Sequence, residues 1–304
     1  MLGVFAKVVR GESVKTRLQT ALTRQEAERF HVASLADTLE TALRLVPKPF
    51  LFLQCEAAEG VEDLRRRLVA CGLDPASWAA LRIRRQSDGD LGLRLEQAFD
   101  TLSRARAAPG AALILGSDSP SLQAATIRAG MERLGLTAIG GAATKNDGRP
   151  AETAQTVDPP HTHGADQQRD RAAANRPSDH LGDASARSAP PTLPSPCGDH
   201  AEGAADLVLG PTADGGYWAI GLRRPCPGLL HNIAWSSTHT FDDTVRRATS
   251  FGLRTALLPL WTDVDRPEDL RELARQIRML RQGGEAQTAR YSERFLSEVG
   301  LHPA

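Results

Sequence analysis

The sequence predicts a doubly wound α/β domain with a mostly parallel central sheet. Three observations carry this. Short apolar runs alternate with longer segments of helical spacing along nearly the whole chain. The run Ala111–Leu115 is continuously apolar between Pro109-Gly110 and Gly116, as expected of a strand buried on both faces. Polar residues of chemical interest gather in segments that follow strands, which is where such sheets bind ligands.

The elements follow in order. Leu2–Ala6 reads as a first strand leading into a basic loop. Leu22–Leu45 has Ala27, Phe30, Ala33/Ser34 and Ala36/Asp37 at helical spacing, with no Gly or Pro. Phe50–Leu53 is a second strand, Val61–Val69 a basic amphipathic helix, Leu81–Arg85 a weaker alternating strand and Leu91–Ala107 a helix. After Ala111–Leu115 comes a helix over Ala124–Leu134. Leu207–Leu209 and Tyr217–Leu222 read as strands around a Gly pair. Thr240–Phe251 is a helix, Arg254–Leu260 a strand, and Pro267–Leu280 a helix with proline in its first turn. Residues 281–304 read as a C-terminal helical extension of a domain spanning 1–280.

Residues 141–205 differ from their flanks. Their large apolar side chains are Val157, Leu181 and Leu193 alone, they hold no aromatic ring of Phe, Tyr or Trp, and they carry eight of the 19 prolines. Such a stretch buries too little apolar surface to offset the entropy of ordering it, so a disordered insertion is expected. Its four histidines and Cys197 fit no zinc spacing. Without it 239 residues remain, enough for one domain.

Composition excludes several classes. Lys plus Arg and Asp plus Glu are each 37, so there is no basic excess of the kind a nucleic-acid binder carries. No apolar run approaches the ~20 residues of a membrane helix. The first residues lack an apolar leader, and the four cysteines form no CxxC pair, so a cytoplasmic protein with scattered thiols is expected.

Four segments carry candidate chemistry, each with a plain structural alternative. Lys7–Arg17 places Lys7, Arg10, Lys15 and Arg17 with Gly11 after the first strand, suited to a phosphate or diphosphate, or simply a solvated basic loop. It is neither GxxxxGK[ST] nor GxGxxG. Gly116-Ser117-Asp118-Ser119-Pro120 puts a carboxylate at the end of the best strand, to ligate a divalent cation or to cap a helix. Asp214-Gly215-Gly216-Tyr217-Trp218 is a hairpin turn, or a place where a ligand approaches the backbone beside an aromatic wall. Asp263 and Asp265, spaced i and i+2 before Pro267, point the same way if extended, or cap the last helix; Glu268 and Asp269 belong to that helix's first turn. One metal-and-phosphate site would account for all four.

FAKVVRGESVKTRL, QSDGDLGLRLEQAF, LILGSDSPSL, LVLGPTADGGYWAIGL, IAWSSTHTFDDTV and DVDRPEDL occur in this order. Together they resemble a bacterial family of glycosyltransferase-A-like transferases, variously called arsenosugar biosynthesis glycosyltransferases or radical-SAM/selenodomain-associated transferases. The resemblance spans roughly Met1–Ile139 and Asp206–Leu280. It implies the nucleotide-diphospho-sugar transferase fold, also found in guanylyltransferases. By that resemblance Asp118 and Asp265 hold Mg²⁺ or Mn²⁺. Lys7, Lys15 and Arg17 cradle phosphates, and Asp214, Gly215 and Gly216 face the second substrate. The sequence departs from the family in having Ser117 and Arg266 where Thr is usual, in lacking the first-loop prolines, and in the insertion.

The expected activity is metal-dependent transfer from a nucleotide-activated donor, foremost a nucleotide sugar, to a small-molecule acceptor. Lys15 and Arg17 stabilise the departing diphosphate and Asp214 orients or deprotonates the acceptor. A nucleotidyltransferase that releases pyrophosphate from an NTP, and a non-catalytic nucleotide-binding scaffold, are the alternatives. No nucleic acid or membrane partner is expected; the sequence does not give the oligomeric state.

Overall fold

The computed structural model describes residues 1–8, 15–55, 58–105, 110–136 and 204–301. The chain divides into one unit of residues 1–141 with 194–304 and a second of 142–193, which lies outside the described residues. The expected insertion, and Arg10 and Gly11 of the first loop, are likewise outside them.

The strands are β1 (Leu2–Lys7), β2 (Phe50–Gln54), β3 (Arg82–Arg85), β4 (Ala112–Leu115), β5 (Leu207–Pro211), β6 (Tyr217–Leu222) and β7 (Thr255–Leu257). The helices are α1 (Arg24–Leu45), α2 (Ala58–Ala70), α3 (Pro75–Ala79), α4 (Leu91–Arg104), α5 (Ala124–Arg133), α6 (Thr240–Ser250), α7 (Pro267–Gln282) and α8 (Arg290–Glu298), with a 3-10 turn over Thr16–Thr20. The strands form one sheet in the order β3-β2-β1-β4-β6-β5-β7. All pairings are parallel except those of β6, which runs antiparallel to β4 and β5. The fold is therefore the α/β class expected, with the β5–β6 hairpin as its antiparallel part.

The apolar runs are explained by burial on both faces. In β2, Leu51 and Leu53 join the cluster packed by α1, α2, α5, α7 and α8, while Phe50 and Phe52 join the one packed by α4 and α6. In β4, Leu113 and Leu115 face the first cluster, and Ala112 and Ile114 the second. The period-2 pleat thus feeds two cores from one run. The edge strand β3 carries three arginines on largely exposed positions, which blunts it against edge pairing.

Two departures have physical reasons. The last strand stops at Leu257 rather than Leu260, because Pro259 cannot donate to a ladder, and Leu260 is left exposed. Asp74 and Pro75 start the short α3, with the Asp74 carboxylate accepting from Ala76 N. Helix α8 packs Tyr291, Phe295 and Leu296 into the same core as α1, and Phe30 meets Phe295 with ring centres 5.4 Å apart.

Candidate functional site

Strand β1 ends at Lys7, β4 runs into Ser117 and Asp118, and the segment before α7 brings Asp263 to Asp265 to the same end of the sheet. Backbone hydrogen bonding joins the last two segments: Val264 N donates to Asp118 O at 2.9 Å. From α1, Ser34 Oγ donates to Ser117 O at 2.6 Å, and the His31 ring bonds Lys7 O through Nε2 at 3.0 Å. Asp269 accepts from Asp265 N and Arg266 N at 3.0 and 2.7 Å, fixing the chain where it enters α7. The capping role expected of Asp269 is thus what places Asp265.

Lys15 stands at the centre. Its backbone is left-handed, with φ 52° and ψ 42°, an uncommon conformation for a side chain with Cβ. Nζ lies 2.6 Å from Asp118 Oδ1, 2.7 Å from Asp265 Oδ1 and 2.8 Å from Val264 O. The lysine side chain is 6% exposed, against 40% for Asp118 and 39% for Asp265. Burying an ammonium costs several kcal/mol unless it is paired. Burial lowers the Lys15 pKa, but Asp118 and then Asp265 outweigh it, so the group is held above its ordinary value and stays charged. Burial pushes the Asp118 carboxyl up; Lys15 and then His31 overcome it and hold it below its usual range. His31, in contrast, is pushed down by burial. Asp263 lies within reach of the cluster's charges; burial first, and Asp118 next, push its carboxyl up to about 7, and its Oδ1 accepts from Ser119 Oγ at 2.5 Å.

Among the described residues no three or more His, Cys, Asp or Glu side chains are grouped to hold a metal. Two carboxylate oxygens nevertheless converge on one point, the Lys15 nitrogen. Asp118 Oδ1 is buried there, 2.6 Å from the ammonium. That donor set suits Mg²⁺ or Mn²⁺, hard cations satisfied by one or two carboxylates with the rest supplied by phosphate and water. The residues fit such a cation once the ammonium is elsewhere. Lys7 is exposed at the end of β1; Arg17 is exposed on the 3-10 turn, and no partner holds its side chain among the described residues.

The turn between β5 and β6 forms a second group. Asp214 Oδ1 accepts from Thr212 Oγ1 at 2.6 Å and from Gly216 N at 3.1 Å, so the carboxylate holds its own turn. Gly215 has φ 88°, and a Cβ there would stand 2.2 Å from Thr238 O. Only glycine fits, and the close neighbour is this protein's own backbone. Trp218 is not a wall for a ligand. It is 1% exposed, packs over Gly210 and donates its indole N–H to Pro259 O. Tyr217, on the other face of β6, meets Trp235 edge-on at 6.4 Å, which makes Trp235 the aromatic neighbour that the sequence reading passed over.

Over 98% of this chain and 93% of its own, the structure resembles a protein of Desulfovibrio desulfuricans G20 provisionally described as a nucleotide-diphospho-sugar transferase, at a TM-score of 0.63 and 18% identity. The fold is that of a nucleotide-diphospho-sugar transferase. Residues 54–148 and 198–237 match the family described as "Uncharacterized protein conserved in bacteria (DUF2064)". A CMP:2-keto-3-deoxy-manno-octonic acid synthetase complexed with CTP is similar at a TM-score of 0.43 and 9% identity, over 92% of this chain and 98% of its own. An inositol-1-phosphate CTP transferase from T. maritima is similar at 0.35 and 9%, over 88% and 90%. Those two likenesses are too weak to bear on the chemistry. No curated protein matches.

Proposed function

We propose that this chain is a metal-dependent transferase that takes a nucleotide sugar as donor and a small molecule as acceptor. The observation that carries the reading is the convergence of Lys15, Asp118 and Asp265 beyond the carboxyl ends of β1 and β4, where open α/β sheets bind ligands. The fold and the donor set support it. Asp118 and Asp265 would hold Mg²⁺ or Mn²⁺, which supplies charge neutralisation at the leaving diphosphate.

The chain's own groups account for the rest. Lys15, kept protonated by its two carboxylates, and Arg17 and Lys7, exposed beside it, offer cations to the donor phosphates. Asp118 stays ionised for a cation, because Lys15 and His31 hold its carboxyl low. Asp214, with Gly215 and Gly216, shapes the turn facing the acceptor, and Asp214 is the candidate to orient or deprotonate its hydroxyl. An exposed carboxylate beside Tyr217 and Trp235 suits sugar hydroxyls better than the third phosphate of an NTP.

The test is product analysis with metal and each donor class. Nucleoside diphosphate released from a nucleotide sugar supports the reading. Pyrophosphate released from an NTP, with no turnover of any nucleotide sugar, replaces it with nucleotidyl transfer; binding of a donor with turnover of neither class leaves a non-catalytic nucleotide-binding scaffold.

A further inference from the structure

Lys15 has so far been a phosphate ligand, yet its nitrogen stands in the one place where Asp118 and Asp265 meet. Three features make that position a resting place. The ammonium is held by Asp265 Oδ1 and Val264 O at hydrogen-bond distance, so it is well satisfied. Asp118 Oδ1, buried and 2.6 Å from the same nitrogen, takes its neutralising charge from it as well, so one ammonium serves both carboxylates. The backbone of Lys15 is left-handed, a conformation that a more relaxed placement of the residue would relieve. A lysine has a flexible four-carbon stem and can leave without disturbing the sheet, whereas the backbone that carries the two carboxylates is fixed by Val264 N–Asp118 O and by the bond from Asp265 N to Asp269.

We propose that Lys15 is the built-in occupant of the divalent-cation position, and that cation and ammonium exchange there. With no cation, Lys15 neutralises Asp118 and Asp265 and keeps the site closed; when Mg²⁺ or Mn²⁺ enters, the ammonium is released toward the donor phosphates. One positive group replaces another between the same carboxylates, so the two negative charges are never left without a counter-charge in a part-buried setting. The lysine thereby lowers affinity for the bare cation and couples its retention to the arrival of a phosphate that rehouses the ammonium. This rests on the metal-dependent transferase reading.

Mn²⁺ alone is the probe, titrated calorimetrically into wild type, Lys15→Met and the double variant Lys15→Met/Asp118→Asn, with no nucleotide present. Lys15→Met is expected to bind Mn²⁺ roughly tenfold or more tightly than wild type, as when a charge-assisted competitor is removed, and the double variant to lose that gain. Equal Mn²⁺ affinity in wild type and Lys15→Met overturns the exchange while leaving the transferase reading intact. No Mn²⁺ binding by any protein, with or without a nucleotide sugar, removes both. Wild type alone gives a second readout that does not depend on the variant's folding. The chain has four lysines, of which Lys7 and Lys48 are exposed, so amine acetylation read by mass spectrometry reports each separately. Lys15 is expected to react slowly without cation and severalfold faster at saturating Mn²⁺, with Lys7 and Lys48 as references. Unchanged protection of Lys15 at saturating Mn²⁺ overturns the proposal.

Discussion

Asp118 and Asp37 are both carboxylates held against the core, and they are used in opposite ways. Asp37, on α1 and 2% exposed, spends both oxygens on the first amides of α8: Tyr291 N reaches Oδ1 at 3.0 Å and Ser292 N reaches Oδ2 at 2.9 Å. Its partners are backbone groups that would otherwise be orphaned at a helix start. Asp118 faces a side-chain cation on a flexible stem, with its Oδ1 2.6 Å from the Lys15 ammonium. One carboxylate is committed to the fold; the other is committed to nothing that must stay. A buried acid whose partners are backbone amides reads as architecture, and one whose partner is a long flexible cation reads as a site.

The sharpest way to break this contrast is to neutralise each in turn. Asp118→Asn and Asp265→Asn are expected to lower metal-dependent turnover by roughly 100-fold or more, with the melting temperature within a few degrees of wild type. If Asp118→Asn unfolds the protein instead, Asp118 is architectural and the contrast fails. Asp37→Ala is expected to do the reverse: a loss of about 2–4 kcal/mol in denaturant unfolding, from two orphaned amides and a detached α8, with KM unchanged in the folded protein.

A smaller effect separates the two by pH. Burial pushes the Asp37 carboxyl up to about 7, against the pull of its hydrogen bonds to α8. Unfolded, it titrates near about 3.9. Between those values the folded protein holds a proton the unfolded chain lacks, so this group's contribution falls as pH rises from about 4 to about 7. The stability of wild type relative to Asp37→Asn is expected to decline across that window in urea titrations; a difference that is flat or rises with pH contradicts it. The smallest effect is expected at Asp263, whose Oδ1 is taken up by Ser119 Oγ: Asp263→Asn should reduce turnover by less than Asp265→Asn.

Much of this was legible. Strands that feed two cores betray themselves as unbroken apolar runs, so β2 and β4 could be placed from sequence to within a residue. Asp118 and the Asp263–Asp265 segment could be placed together because strand ends are where such sheets gather ligands, while the choice of Asp265 over Asp263 came from the family resemblance alone. What could not be read was direction. Tyr217 and Trp218 are neighbours in sequence and face opposite sides of β6, so the residue with the larger ring went to the core and Trp235, 17 positions on, supplied the aromatic neighbour. Lys15 and Arg17 are alike as cations, yet one is buried between carboxylates and the other is exposed, a difference set by the turn. In α1, His31, Ser34, Asp37, Thr38 and Thr41 recur at spacings of three and four on the buried side. That polar stripe was visible in the sequence, and three of its members turn out to fix Lys7, Ser117 and α8. It was hidden by reading Ser34 and Asp37 as variants of an apolar face.

The most direct test of the central claim is thermal unfolding of wild type and Asp118→Asn across a panel of nucleotide sugars and NTPs, with and without Mn²⁺. Ligand at about 100 times its Kd stabilises the native state by about 2.7 kcal/mol, enough to move the melting point by several degrees in a domain of this size. The account expects such a rise for wild type with at least one nucleotide sugar, dependent on Mn²⁺ and lost in Asp118→Asn. A rise of the same size without Mn²⁺, or one that survives in Asp118→Asn, would contradict it.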